Sequence, residues 1–240
     1  MRRINQINVK RRLLPDYAVR ALIILILSNI LVYYGARALN AMSGRSYLDM
    51  TGIIDRAIPV IPGFSVIYLI AFPFWYATYF FICRSDRSKC FRLVATAVTA
   101  KLLCGVLFVM IPTTIIRPEI TGQGPANVLL EFIYATDSPD NLFPSIHCLE
   151  SWLCFLAVNE EEKALEWLKF SAFFLAVAIC LSTLFTKQHV VADVIAGVFI
   201  ADFLWHRGSA FICDVLLCGQ DLVRGRKFER VQRTFKRLYL

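Results

Sequence analysis

The sequence predicts an all-α integral membrane protein, a bundle of about six transmembrane helices. The chain has 240 residues, of which 58% are hydrophobic, and a mean hydropathy of +0.58. Only 18% of its residues are charged, whereas about a quarter are charged in an ordinary soluble domain. The apolar residues are concentrated in long runs, and a helix that spans a bilayer needs about 20 of them. A soluble chain of amphipathic helices is therefore the weaker interpretation.

Six apolar runs are predicted to cross the membrane. In chain order they cover residues 18–38, 64–83, 91–116, 146–158, 168–185 and 190–204. The fourth and sixth runs are short for a span, so we expect them to extend into polar sequence or the bilayer to thin around them. The first run follows basic residues and ends near Ala36 to Ala38. A cleaved signal peptide is thus an alternative to the uncleaved first span that we favour.

The distribution of basic residues predicts the orientation of the chain. The net charge of +8 is concentrated before the first run, between the second and third, and after the sixth. Under the positive-inside rule these segments are cytoplasmic, which defines a basic N-terminus (residues 1–17), a six-span catalytic domain (18–207) and a basic amphipathic tail (208–240). The tail is expected to rest on anionic lipid headgroups of the cell membrane rather than on nucleic acid.

His189 and Asp193 are the first candidate catalytic residues, predicted on the outer face. Four residues apart on a helix, they share one side, so the carboxylate can hold one ring nitrogen and leave the other as a nucleophile. A polar pair that only caps a span is the alternative.

A second candidate cluster is Pro144-Ser145-Ile146-His147, also on the predicted outer face. Pro144 suits a first helical position. The free N–H groups of Ser145, Ile146 and His147 would then form an anion cradle, and His147 would donate a proton to a leaving oxygen.

Arg117 closes the third run on the same predicted face. Its planar fork suits two oxygens of a phosphate group, although an isolated arginine at a helix end is usually an interfacial anchor.

Together these clusters resemble the type 2 phosphatidic acid phosphatase superfamily. Its pattern is Lys-x6-Arg-Pro, then Pro-Ser-Gly-His, then Ser-Arg-x5-His-x3-Asp, and this chain matches it in register from Arg117-Pro118 to Asp193. The resemblance covers about residues 91–204. It implies a reaction that needs no metal or other cofactor, in which His189 attacks phosphorus, Asp193 orients it and His147 protonates the leaving group. Water then hydrolyses the phosphohistidine.

Three positions depart from the family pattern. Met110 stands where the family has lysine, Thr183 where it has arginine, and Ile146 where it has glycine. We expect Ile146 to contact the substrate through its backbone N–H, and Lys187 to supply the missing positive charge.

The sequence also predicts how the intramembrane charges are satisfied. Lys101 and Asp202 lie at similar computed depths and are expected to form a structural ion pair, because an unpaired charge there is costly. Glu150, one turn below His147, could tune that histidine, bind a headgroup or be solvated. His206 is expected to be an interfacial residue.

The sequence thus predicts a phosphatase acting on a lipid phosphate such as phosphatidic acid, phosphatidylglycerol phosphate or a polyprenyl pyrophosphate. The main alternative is a phosphotransferase that passes a phospho-headgroup to a lipid or sugar acceptor, as in inositol phosphorylceramide and sphingomyelin synthases. A transporter or scaffold, and a metal site built from His147, His189 and Asp193, are further alternatives.

Overall fold

Helices form nearly all of the regular structure in residues 13–208, the part of the chain that this computed structural model describes. The elements are α1 (Asp16–Ser43), β1 (Leu48–Asp49), α2 (Ile53–Ala57), α3 (Phe64–Ser85), α4 (Arg87–Met110), β2 (Thr113–Thr114), α5 (Pro125–Thr136), α6 (Ile146–Asn159), α7 (Glu166–Phe185) and α8 (Val191–Phe203), followed by a π-helical turn, Leu204–Gly208. The predicted all-α class is confirmed. The N-terminal residues 1–12 and most of the predicted tail lie outside the described residues.

Within residues 13–208, four helices are long and apolar enough to cross a membrane: α1, α3, α4 and α7. Helices α6 and α8 have 14 and 13 residues. At 1.5 Å per residue each rises about 20 Å, less than the roughly 30 Å hydrocarbon core. Helix α8 is prolonged by the π-helical turn, whereas α6 gains a single residue over the predicted run. The structure therefore has several membrane-type helices, and the count of six spans stays a prediction.

The helix of the third apolar run is shorter than the sequence predicted. Helix α4 ends at Met110, and the following residues are extended, with β2 pairing in parallel with β1. Pro112 explains the difference, because proline lacks an N–H donor and disfavours helical geometry in the residue before it. The apolar run to residue 116 thus combines a helix with an extended segment that carries Arg117 to the site.

Helix α6 lies at the centre of the bundle and packs against α3, α4, α7 and α8. Nine of its 14 residues are buried. Helix α1 packs closely on α4, where a Cβ added to Gly105 would lie 3.2 Å from the Val32 side chain. The central position of α6 fixes the position and orientation of His147, which lies in its first turn.

The predicted ion pair between Lys101 and Asp202 is wrong. The Lys101 ammonium lies 2.5 Å from Glu150 Oε1, and the Tyr79 hydroxyl donates to Glu150 Oε2 at 2.8 Å. Asp202 instead accepts a hydrogen bond from Trp152. Because α4 ends at Met110, Lys101 lies closer to the Met110 end of the bundle than the sequence count assumed, at the level of Glu150.

Candidate active site

His189 and Asp193 meet at the start of α8, as the sequence predicted. The Nδ1 atom of His189 lies 3.2 Å from Asp193 Oδ2. The same carboxylate oxygen accepts the Val190 N–H at 3.1 Å, so Asp193 also caps the helix from its first turn. Both side chains are buried. This contact orients the ring and leaves Nε2 as the nitrogen available for chemistry.

The environment of His189 favours its protonated form. Burial alone lowers the pKa of His189, but the hydrogen bond and negative charge of Asp193, helped by Asp137, outweigh burial and leave the pKa above its ordinary value. The neutral ring, which is the nucleophilic form, therefore predominates only at a higher pH than for a free imidazole.

His147 lies in the first turn of α6, and Ser145 is the N-cap of that helix. The Ser145 hydroxyl accepts the Cys148 N–H at 3.3 Å. The expectation that Pro144 occupies the first helical position is wrong, since α6 begins at Ile146. The reason is local: Ser145 is a good cap residue, with an oxygen for the N–H three positions on.

The predicted anion cradle is smaller than the sequence indicated. The Ser145 N–H donates to the Asp193 carbonyl at 3.1 Å, so it is already used. Within residues 13–208, the N–H groups of Ile146 and His147 have no backbone acceptor. Two donors therefore remain at this helix start for a phosphate oxygen.

Aromatic side chains hold the His147 ring. Tyr68 stacks on it with ring centroids 4.2 Å apart, and Phe72 and Trp75 pack around it. The Tyr68 hydroxyl lies 3.4 Å from His147 Nδ1. His147 Nε2 is buried without a hydrogen-bond partner in the described part of the chain. That nitrogen is the one left to exchange a proton with a reacting group.

Asp137 joins Tyr68, which stacks on His147, to Tyr33 and Arg117, and no sequence motif predicted it. Its carboxylate accepts the Tyr68 and Tyr33 hydroxyls, each at 2.8 Å. Its backbone carbonyl accepts a hydrogen bond from Arg117 at 2.6 Å. The only signal in the sequence was its place in the polar segment before Pro144, which does not single it out.

Helix α1 also contributes to this network. Arg37 forms an ion pair with Asp140 at 2.8 Å and donates to the Tyr33 hydroxyl at 2.9 Å. Asn141 donates from its side chain to the Tyr33 carbonyl at 3.1 Å. The first helix is thus tied to the loop that leads into His147.

Arg117 lies beside the His189 loop, but the protein already binds much of its guanidinium. One terminal nitrogen donates to the Asp137 carbonyl, and the other donates to the Gln188 side chain at 2.5 Å. The guanidinium also lies over the Tyr134 ring. Burial lowers the pKa of Arg117, although Asp137 opposes this. Arg117 therefore positions the chain next to His189, and its Nε remains without a partner among the described residues.

A cavity of about 340 Å³ opens at His189. Its wall includes Lys187, Asp55 and Arg56, together with apolar side chains of the segments that follow α2 and β2. Lys187 has a φ of 52°, a conformation that few residues other than glycine adopt. Its ammonium donates to the carbonyls of Asp55 and Ile58, each at 2.6 Å. Burial lowers the pKa of Lys187.

The starts of α6 and α8 pack directly against each other. A Cβ added to Gly197 would lie 2.4 Å from the Ser145 carbonyl oxygen, so α8 approaches α6 more closely than any side chain allows. Together with the Ser145–Asp193 backbone bond, this packing brings His147, His189 and Asp193 to one end of the bundle.

A match to a known protein family follows the same residues. Residues 98–211 match the family model described as the PAP2 superfamily. The matched stretch contains the Arg117, His147 and His189 clusters and excludes α1 and α3. Among curated proteins, the comparison gave no match.

Proposed function

We propose, for a chain that belongs to the PAP2 superfamily, that it hydrolyses a lipid phosphate or polyprenyl pyrophosphate through a phosphohistidine. Membership of the superfamily supports phosphatase or phosphotransferase chemistry in general. The long apolar helices support an amphiphilic substrate, because a bundle end at the membrane surface receives a phosphate headgroup while its chain stays in lipid. The cell membrane, the outer face and the lipid itself are parts of this proposal.

In the first step, His189 Nε2 attacks phosphorus and the bond to the leaving oxygen breaks. His147 gives its proton to that oxygen, which leaves as an alcohol or a phosphate. Asp193 stabilises the positive charge that develops on the His189 ring, to which it is bound through Nδ1. The Ile146 and His147 N–H groups at the start of α6 stabilise the charge on the phosphoryl oxygens.

In the second step, water attacks the phosphohistidine and the N–P bond breaks. His147, now neutral, takes a proton from the water, so the acid of the first step is the base of the second. Inorganic phosphate leaves, and both histidines return to their starting protonation states. No metal takes part in either step.

Tyr68 and Asp137 are proposed to position His147. The stacked Tyr68 ring fixes the plane of the imidazole, and its hydroxyl is held by Asp137 at 2.8 Å while facing Nδ1. Both residues act through His147 and do not touch phosphorus in this scheme.

The observation that carries the proposal is the buried His189–Asp193 pair, of which His189 lines a cavity of about 340 Å³. A histidine that only caps a span would need neither a carboxylate on Nδ1 nor an opening beside the ring. A cavity of this volume is within the usual range for small-molecule sites.

The test is the purified full-length protein assayed against lipid phosphates and pyrophosphates, with and without a chelator. We expect release of inorganic phosphate without an added acceptor, unchanged by chelation and lost in His189→Ala. His206→Ala is the matched control, because His206 lies at the other end of the bundle with a side chain 51% exposed. A fully active His189→Ala protein would contradict the proposal. Headgroup transfer without phosphate release would favour the phosphotransferase.

A further inference from the structure

The charged groups of the cavity beside His189 differ in how fully other parts of the protein already bind them. The Asp55 carboxylate accepts the Val191 N–H through Oδ1 and the Gly52 N–H through Oδ2, both at 2.8 Å. The Lys187 ammonium is engaged by two carbonyls. Met110 and Thr183, which stand where the family pattern has basic residues, add no charge: Met110 is 66% exposed, and the Thr183 hydroxyl donates to the Cys180 carbonyl.

Arg56 differs from the other charged groups of this cavity. Arg56 lines the cavity, and its guanidinium forms no hydrogen bond or ion pair with any residue that the structure describes. The side chain is exposed, so it retains its full set of donors. An arginine fork binds two oxygens of a phosphate group at once.

The backbone that carries Arg56 is fixed to the catalytic loop. Asp55, its neighbour, caps the start of α8 through the Val191 N–H. Lys187, two residues before His189, binds the carbonyls of Asp55 and Ile58 on either side of Arg56. The same contacts therefore fix the backbone at Arg56 relative to the backbone at His189. Binding of a phosphate between them requires little further ordering of the chain.

We propose that Arg56, in the segment between the first two long helices, binds the terminal phosphoryl group of the substrate. This inference rests on the proposed function and names its substrate class. A terminal phosphoryl group offers three oxygens besides the bond that breaks, and a phosphodiester offers two. If the arginine binds two of these oxygens, a third oxygen is left for the α6 N–H groups only when the substrate is a phosphomonoester or a pyrophosphate.

The test compares Arg56→Ala and Arg56→Lys with Arg45→Ala in the full-length protein. Arg45 is the matched control, an exposed arginine of the same loop whose guanidinium donates to the Val109 carbonyl. Binding of inorganic phosphate is measured by calorimetry, and kcat and KM are measured with a lipid phosphomonoester and a matched phosphodiester.

We expect Arg56→Ala to weaken phosphate binding by about ten-fold or more, since a charge-assisted pair is lost. Its kcat/KM should fall more for the monoester than for the diester, with Arg56→Lys intermediate and Arg45→Ala unchanged. Wild-type phosphate binding by Arg56→Ala would overturn the inference. If Arg56→Ala binds phosphate normally while His189→Ala is inactive, only the proposed role of Arg56 is refuted. If His189→Ala stays active, the proposed function itself is refuted.

Discussion

At the residue scale, the two imidazoles are held in the same way. Each Nδ1 faces a protein oxygen, Asp193 for His189 and the Tyr68 hydroxyl for His147, while each Nε2 is left for the substrate. The partners differ in charge. A carboxylate stabilises a ring that becomes positive during attack, whereas a neutral hydroxyl allows a ring to give up its proton. This difference supports His189 as nucleophile and His147 as acid.

Asp193→Asn should change the pH dependence of the reaction. Because Asp193 holds the pKa of His189 above its ordinary value, the acidic limb of kcat/KM should lie above the free-imidazole pKa of 6.5. Removing the carboxylate charge lowers that pKa, so the limb should move to lower pH. The maximal rate should also fall by roughly 100-fold or more, because the amide no longer orients the ring. An unmoved limb in pH–rate profiles would contradict the role of Asp193.

Tyr68→Phe should slow the reaction without unfolding the protein. The phenyl ring keeps the stack on His147 but loses the hydroxyl that Asp137 holds. We expect about a ten-fold fall in kcat for a lipid phosphate with an alkoxide leaving group, and a smaller fall for an aryl phosphate, whose leaving group needs less protonation.

Tyr76→Phe is the control, since Tyr76 lies on the same helix with 67% of its surface exposed. Equal losses with both leaving groups would indicate a structural role for Tyr68 rather than positioning of the acid.

At the element scale, the site depends on the contact between two helix starts. Ser145 caps α6 and also donates its N–H to the Asp193 carbonyl in α8. Gly197, one turn further along α8, lets the two backbones approach. The relative position of His147 and His189 is thus set by packing of the helices that carry them.

Gly197→Ala should therefore reduce both stability and activity. Its new Cβ would lie 2.4 Å from the Ser145 carbonyl oxygen, a backbone atom that cannot move aside alone. The expected cost is about 1–3 kcal/mol, the usual range for overpacking. Gly35→Ala is the control, because its nearest contact would be 3.9 Å away, and alanine favours a helix over glycine. The midpoint temperature of thermal unfolding and kcat should both fall in Gly197→Ala. A stable, fully active Gly197→Ala protein would refute this packing argument.

Most helix boundaries could be predicted from the sequence, because apolar runs and polar interruptions mark them directly. The starts at Phe64 and Ile146 and the end at Phe185 agree with the predicted runs. The end of the third run was wrong, because hydropathy does not distinguish a helix from an extended segment. The partner of Lys101 was wrong for the same reason, since its depth was counted along a helix that ends earlier.

At the scale of the whole molecule, the residues of the site come from two parts of the chain. Arg117, His147, His189 and Asp193 lie within residues 98–211, where a motif points to them. Arg37, Arg56 and Tyr68 precede that stretch, and no spacing rule connects them with the histidines. Their approach depends on how α1, α3 and the intervening loop pack on the matched region. Sequence reasoning therefore found the residues proposed for the chemistry and missed those that hold or surround them.

The orientation of the whole bundle in the membrane can be tested with two exposed positions. Gln123 lies in the loop before α5, and Glu162 lies between α6 and α7. Because α6 runs between their two loops, the predicted topology puts position 123 outside and position 162 inside. A membrane-impermeant maleimide applied to intact cells should label Gln123→Cys, and Glu162→Cys only after permeabilisation. The unsubstituted protein measures the background from its own cysteines, of which those in residues 13–208 are buried.

Labelling of Glu162→Cys in intact cells, with Gln123→Cys protected, would reverse the orientation and place the histidines on the cytoplasmic side. Labelling of both would show that α6 does not separate the two loops across a bilayer.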